Sequence, residues 1–193
     1  MSSGNCSCTG RTLNSIAIFA EVHMPATQKA VFAITLFSIF AAWCAWSTVT
    51  DWSVSLPLVI FHFALLVNTF FSIRCFSRII PRRDWTQKAI DVILGVLYLA
   101  LPLQFGQPLW YAVVLAILFT LATTKYALLF HLKEHLSLLR RKIFFDSLGS
   151  IACVLLIAAV SAGYGFVAMW AWAILFILAD MYLLVIKPLY VLD

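Results

Sequence analysis

Three carboxylates, Asp91, Asp146 and Asp180, and two bases, Lys125 and Arg74, stand within or at the margin of long apolar runs. An ionised side chain there costs at least a few kcal/mol unless it pairs, faces the bundle interior or reaches water. At about 1.5 Å of rise per residue, Asp91 lies roughly 5 Å beyond Lys88, Asp146 roughly 6 Å beyond Lys142 and Asp180 roughly 10 Å short of Lys187. On the same scale Lys125 is about 12 Å from Lys133 and Arg74 about 6 Å from Arg78. The five groups belong to five different spans. Three acids against two bases leave one carboxylate over, able to bind a cation, hold a proton or pair with a further base such as Lys187. Two uses compete: structural ion pairs and snorkelling toward headgroups, or the vestibule of a transport pathway. Asp180 and Lys125 lie deepest and are the least able to snorkel.

Asn68 joins them from the middle of its span, about 15 Å along the axis from Arg78, with Thr69 and Ser72 as polar neighbours. An amide at that depth glues helices together or contacts a solute. His62 lies farther toward the opposite face among Phe61, Phe63 and aliphatic residues, the setting of an imidazole bonded to a neighbouring carbonyl. It cannot share a haem with His131, because the two stand at opposite depths. His131-Leu132-Lys133-Glu134-His135 fits an H-x-x-E-H zinc pattern. The chain's only other glutamate is Glu21, however, so a downstream third ligand is lacking. The run reads as a basic juxtamembrane helix against anionic lipid, with pH or divalent-ion sensing by His131 and His135 as the alternative. No phosphate loop, nucleophile elbow, H-E-x-x-H pair or CxxC motif occurs. Cys6 and Cys8 supply at most half a metal site, and Cys44, Cys75 and Cys153 sit at depths that do not pair. No cofactor, metal or nucleic-acid partner is expected.

The elements that must position these groups are membrane helices. The 193 residues are 64% hydrophobic and 11% charged, with a mean hydropathy of +1.01, far from the roughly half apolar, quarter charged makeup of soluble domains. Six runs reach the roughly 20 residues a helix needs to cross a bilayer. They are Gln28 to Val49, Ser53 to Phe76, Lys88 to Phe105, Pro108 to His131, Ile143 to Gly163 and Phe166 to Lys187. Their continuous apolarity excludes an alternating β-barrel. The expected fold is an all-α integral membrane protein: a six-transmembrane-helix bundle of three hairpins with short outer turns. Residues 1-27 form an N-terminal cytoplasmic or interfacial segment without a secretory-signal pattern, 28-187 the transmembrane domain and 188-193 a tail.

All 13 Lys and Arg residues fall on one of the two alternating sets of connectors, whereas the other set holds only Asp51. Both termini are therefore expected to be cytoplasmic. Trp43, Trp46, Trp52, Trp110, Tyr111, Tyr164, Trp170 and Trp172 crowd the opposite side, where headgroups favour amphipathic rings. Thr27-Gln28-Lys29-Ala30-Val31 and Thr86-Gln87-Lys88-Ala89-Ile90 echo each other, and Lys88, Asp91 and Gly95 are echoed by Lys142, Asp146 and Gly149. A parallel hairpin repeat would look this way, as would any bundle with basic inner loops.

The function expected is a small channel or transporter for an ion, proton or small polar solute, its pathway lined by Asn68, Asp91, Lys125, Asp146 and Asp180. His62, Arg74, His131 and His135 are secondary candidates. The alternative is a non-catalytic subunit or assembly factor of a larger membrane complex; a lipid-modifying enzyme ranks third. Partners expected are the bilayer, anionic lipids at the cytoplasmic face and a further copy or complex subunit. The location expected is the plasma membrane or a bacterial inner membrane.

Overall fold

A computed structural model describes residues 25–79, 85–130 and 136–186. All regular structure among them is helical: α1 (Ala26–Thr48), α2 (Trp52–Phe76), α3 (Trp85–Ala100), α4 (Pro108–Ala127), α5 (Leu136–Ala159) and α6 (Gly165–Met181). A 3-10 turn, Pro102–Gln104, prolongs α3, and π turns at Val160–Tyr164 and Tyr182–Ile186 flank α6. Five helical stretches are long and apolar enough to cross a membrane, the fifth being the 51-residue run Leu136–Ile186. That run is not straight. Gly163 has φ of +89°, a left-handed conformation that costs glycine little and other residues much. Asp146 and Asp180, which would be about 51 Å apart along one straight helix, line the same cavity, so the chain doubles back at Gly163. Residues 1–24, 80–84, 131–135 and 187–193 lie outside the described set, and with them the N-terminal segment, the tail, Lys187, His131 and His135.

Local chemistry sets the helix ends. α1 follows extended Pro25, and α4 opens on Pro108, positions where the missing proline N–H loses no helical bond. Asp51 caps α2, its Oδ1 accepting from the Ser53 amide (2.8 Å) and hydroxyl (2.6 Å). These bonds, the hydroxyl's first, hold the Asp51 carboxyl below its ordinary value of 3.8. A depressed folded-state pKa stabilises the fold above the unfolded pKa, and this contribution fades as pH falls through the folded value. Asp51→Asn is therefore expected to flatten the thermal-melting curve's dependence on pH below about 4, while leaving melting near pH 7 almost unchanged, since Asn also caps helices.

Two boundaries differ from the sequence reading. The fourth helix ends at Ala127 rather than His131, because Leu128 to Phe130 form a turn, and the fifth begins at Leu136, seven residues before Ile143. Arg140, Arg141 and Lys142 thus belong to the helix, and Lys142 is carried onto its buried face.

The helices expose large apolar side chains such as Phe32, Ile39, Val154, Leu175 and Val185, as expected of lipid-facing surface. Their contacts depend on size. α1 buries only small residues, Ala30, Ala41, Cys44 and Ala45, which allow close backbone approach to α2. α2 and α4 form the centre, α6 lying mainly on α2 and α5 on α4. On α4 the inward stripe runs Tyr111, Leu115, Leu118, Lys125, and on α5 it runs Leu139, Lys142, Asp146, Cys153, Leu156, the three- and four-residue steps of one helix face. The charges lie on the buried stripe.

Of the rings assigned to the headgroup region, one is interior and another partly buried against the core. Tyr111 is wholly buried, its hydroxyl donating to the Leu58 carbonyl (3.5 Å), and Trp172 is stacked on Phe61. Trp46 and Tyr164 are exposed as expected. The echoed starts of α1 and α3 coincide in helix position but not in environment: Gln87 is buried and Gln28 exposed, whereas Ala30 is buried and Ala89 exposed.

Candidate functional site

The interior has three layers. A large apolar cluster includes Leu58, Phe61 and Leu65 of α2, Leu115, Leu118 and Phe119 of α4, and Cys153 and Leu156 of α5. A small one, Cys75, Phe76, Tyr126, Leu129 and Leu139, closes the end where α2 and α4 finish and α5 begins. Between them, in sequence order on each of these helices, lie Asn68 to Ser72, Lys125, and Lys142 to Asp146. Every polar group in this middle layer must find its partner inside the protein.

Lys125 Nζ is paired with Asp91 Oδ1 at 2.5 Å, and Lys142 Nζ with Asp146 Oδ1 at 2.7 Å. Both ammonium groups stand 5.6 Å from the centre of the Tyr126 ring, within range of its negative face. The Tyr126 hydroxyl is hydrogen-bonded with Ser72 Oγ (2.8 Å). Asn68 Nδ2 donates to Asp180 Oδ1 at 2.6 Å. Thr69 and Tyr98 share a hydroxyl–hydroxyl bond, and Tyr98 stacks on Phe37 of α1. Among the described residues Asp180 is therefore the one of the three carboxylates outside these two ion pairs.

Two cavities adjoin this ladder. The first, about 330 Å³, lies among α1 to α5 and reaches Lys29, Asp91, Tyr98 and Lys125. The second, about 370 Å³, lies among α2, α4, α5 and α6 and reaches Trp172, Phe176 and Asp180. Asn68, Phe119, Lys142 and Asp146 line both and so form the partition. Asp146 is 3% exposed, and its second oxygen, Oδ2, has no hydrogen-bond partner among the described residues. A buried carboxylate oxygen without a donor costs free energy until something supplies one.

The structure brings Asn68, Asp91, Lys125, Asp146 and Asp180 to one layer around these cavities. It does not bring Arg74, which is exposed near the end of α2 and lines neither. The base that completes the ladder is Lys142, expected from the sequence as a depth marker and a member of the repeat but not as a site residue. Its four-residue spacing to Asp146 was the available signal. His62 is wholly buried in the apolar layer, edge-on to Phe105, and lines neither cavity. Tyr126, Phe119 and Trp172 were also missed, since single aromatic residues in apolar spans carry no mark of an inward position. Among the described residues no group of His, Cys, Asp and Glu is arranged to hold a metal ion.

No known protein family, curated protein or solved structure matches the chain. Its class is defined by its own architecture, that of an all-helical integral membrane protein with a charged interior layer.

Proposed function

We propose that the protein is a small six-span carrier with both termini in the cytoplasm, moving an ion, proton or small polar solute through the layer of Asn68, Asp91, Lys125, Lys142, Asp146 and Asp180. The reversal at Gly163 supports counting the fifth stretch as two crossings, α5 and α6. The one-sided bases support a cytoplasmic position for the end of the bundle closed by Phe76 and Tyr126. In this orientation anionic lipids of a plasma membrane or bacterial inner membrane surround the basic end.

The observation that carries the reading is the pair of adjoining cavities beside the buried charges. A purely structural ladder would be closed tightly around its pairs, because desolvated ion pairs gain nothing from empty space beside them. Asp146 lines both chambers with one oxygen that has no hydrogen-bond partner among the described residues, and Phe119 is the only large apolar side chain among them lining both.

Purified protein in liposomes is expected to pass solute or protons, and Asp180→Asn and Lys125→Ala are each expected to slow that flux by about tenfold or more, the loss of one charge-assisted contact. Proton flux is read with an entrapped pH dye, and solute flux with labelled inorganic and organic cations. Equal flux in wild-type and variant proteins of unchanged melting temperature overturns the proposed pathway. Stoichiometric copurification of other membrane subunits, with no flux from the isolated chain, replaces it with the subunit reading.

A further inference from the structure

The second cavity has the chemistry of a ligand site. Among the described residues two carboxylates, Asp146 and Asp180, line it against one ammonium, Lys142, so these ionised groups give it one negative charge in excess. Asp180 Oδ1 accepts from Asn68, and Asp146 Oδ1 from Lys142. Asp146 Oδ2 is buried without a donor. Much of the remaining lining is apolar and aromatic: Phe145, Leu148, Leu175, Phe176 and Trp172. The Trp172 Nε1 is likewise buried without a partner among the described residues. Leu148 and Leu175 are at least half exposed, which puts part of the lining at the lipid-facing surface.

A bare metal ion does not suit this shape, because hard cations take six or more oxygen ligands at short range, and most of this wall is carbon. An anion is opposed by the charge excess. A volume of about 370 Å³ lies in the range of small-molecule sites, which are mostly apolar with a few fixed polar groups.

We propose that this cavity binds an organic ammonium ion, its N–H groups donating to the Asp180 and Asp146 carboxylates and its apolar body resting against Trp172, Leu175 and Phe176. The aromatic rings add attraction for the cation through their negative faces. The ligand enters from the bilayer side past Leu148 and Leu175, so it is either a membrane-partitioned amine or the ammonium headgroup of a lipid. What the bound cation does next rests on the carrier reading above; its binding does not.

The test is equilibrium binding of radiolabelled 2-phenylethylammonium to the full chain in dodecylmaltoside micelles, with phenylacetate and 2-phenylethanol as the anionic and neutral competitors. Saturable binding that neither competitor displaces is expected, weakened about tenfold or more in Asp180→Asn, the loss expected of one charge-assisted contact. Leu175→Trp, at the exposed rim, leaves every charge in place and is expected to abolish binding by filling the cavity, which decides the matter if Asp180→Asn does not fold. Added phosphatidylethanolamine that displaces the probe identifies a lipid headgroup as the natural occupant; probe binding unaffected by that lipid identifies a free amine. Displacement by phenylacetate, or unchanged affinity in both variants, overturns the site. Absence of binding by both 2-phenylethylammonium and phosphatidylethanolamine also overturns it. Binding without flux leaves the site standing and defeats the carrier, whereas inorganic-ion flux without binding does the reverse.

Discussion

Replacing Asp146 by alanine is expected to destabilise the protein by about 3–5 kcal/mol, the cost of leaving one member of a buried ion pair without its partner. Lys142 is 8% exposed and Asp146 3%, so neither end of that pair has ready access to water. Loss of the carboxylate leaves the Lys142 ammonium against the Tyr126 ring, which already faces the ammonium of Lys125. Asp91→Ala provides the contrast. It also breaks an ion pair, with a lysine as buried as Lys142 (8% each), but the Asp91 side chain is 51% exposed, and with one end of the pair open the loss is expected to be smaller, nearer the roughly 1 kcal/mol of an exposed pair. The double change Lys142→Met with Asp146→Leu removes both charges, keeps the side-chain bulk and is expected to recover most of the stability. Thermal melting of the detergent-solubilised protein, combined with denaturant unfolding, measures all three. Equal losses in Asp146→Ala and Asp91→Ala would show that the burial difference carries no energy. A double variant as unstable as Asp146→Ala would show that the pair itself, and not the imbalance of charge left by removing one member, holds the helices together.

That contrast could not be drawn from the sequence. The helices and their apolar runs were legible, because hydropathy along the chain marks them directly. The inward stripe was not. In a soluble helix the polar face marks which side is buried, but these helices are apolar almost all round, so Leu118 and Ile117 look alike although one is buried and the other exposed. Depth put Asp91, Asp146, Asp180 and Lys125 about 5 to 12 Å from their basic anchors and Asn68 deeper, at about 15 Å, without saying which of them meet. Pairing followed from the heptad-like positions of Lys125 on α4 and Lys142 on α5, which turn both toward Tyr126. Arg74 was a plausible partner by depth and lost that role by rotation, since its position on α2 faces outward. Gly163 shows the converse limit: its residue type permits a reversal, but only the left-handed φ shows that the chain makes one.

Valine at Gly149 is expected to slow flux by about a hundredfold while costing only about 1–3 kcal/mol of stability, the usual range for overpacking a tight contact. A Cβ placed on Gly149 would lie 2.9 Å from Phe119 Cδ1 and 3.0 Å from Cε1, closer than carbon atoms approach. The Phe119 ring has somewhere to go, because cavities lie on both sides of it. It is therefore displaced into those spaces rather than forcing α4 and α5 apart, and the volume it takes is the volume a solute would use. Gly149→Ala should have nearly native melting, since a helix gains about 0.5–1 kcal/mol from alanine over glycine, which offsets part of the contact, yet its flux should already be reduced. Phe119→Ala in the Gly149→Val background removes the displaced ring and is expected to restore flux. Liposome flux and melting temperature are read on the same preparations, so loss of transport is separated from loss of fold. If Gly149→Val transports normally, or if Phe119→Ala fails to rescue a folded Gly149→Val protein, the ring is only packing and the partition between the chambers lies with Asn68, Lys142 and Asp146. Rescue, by contrast, requires that the solute pass where Phe119 stands, between the Asp91–Lys125 chamber and the Asp180 chamber.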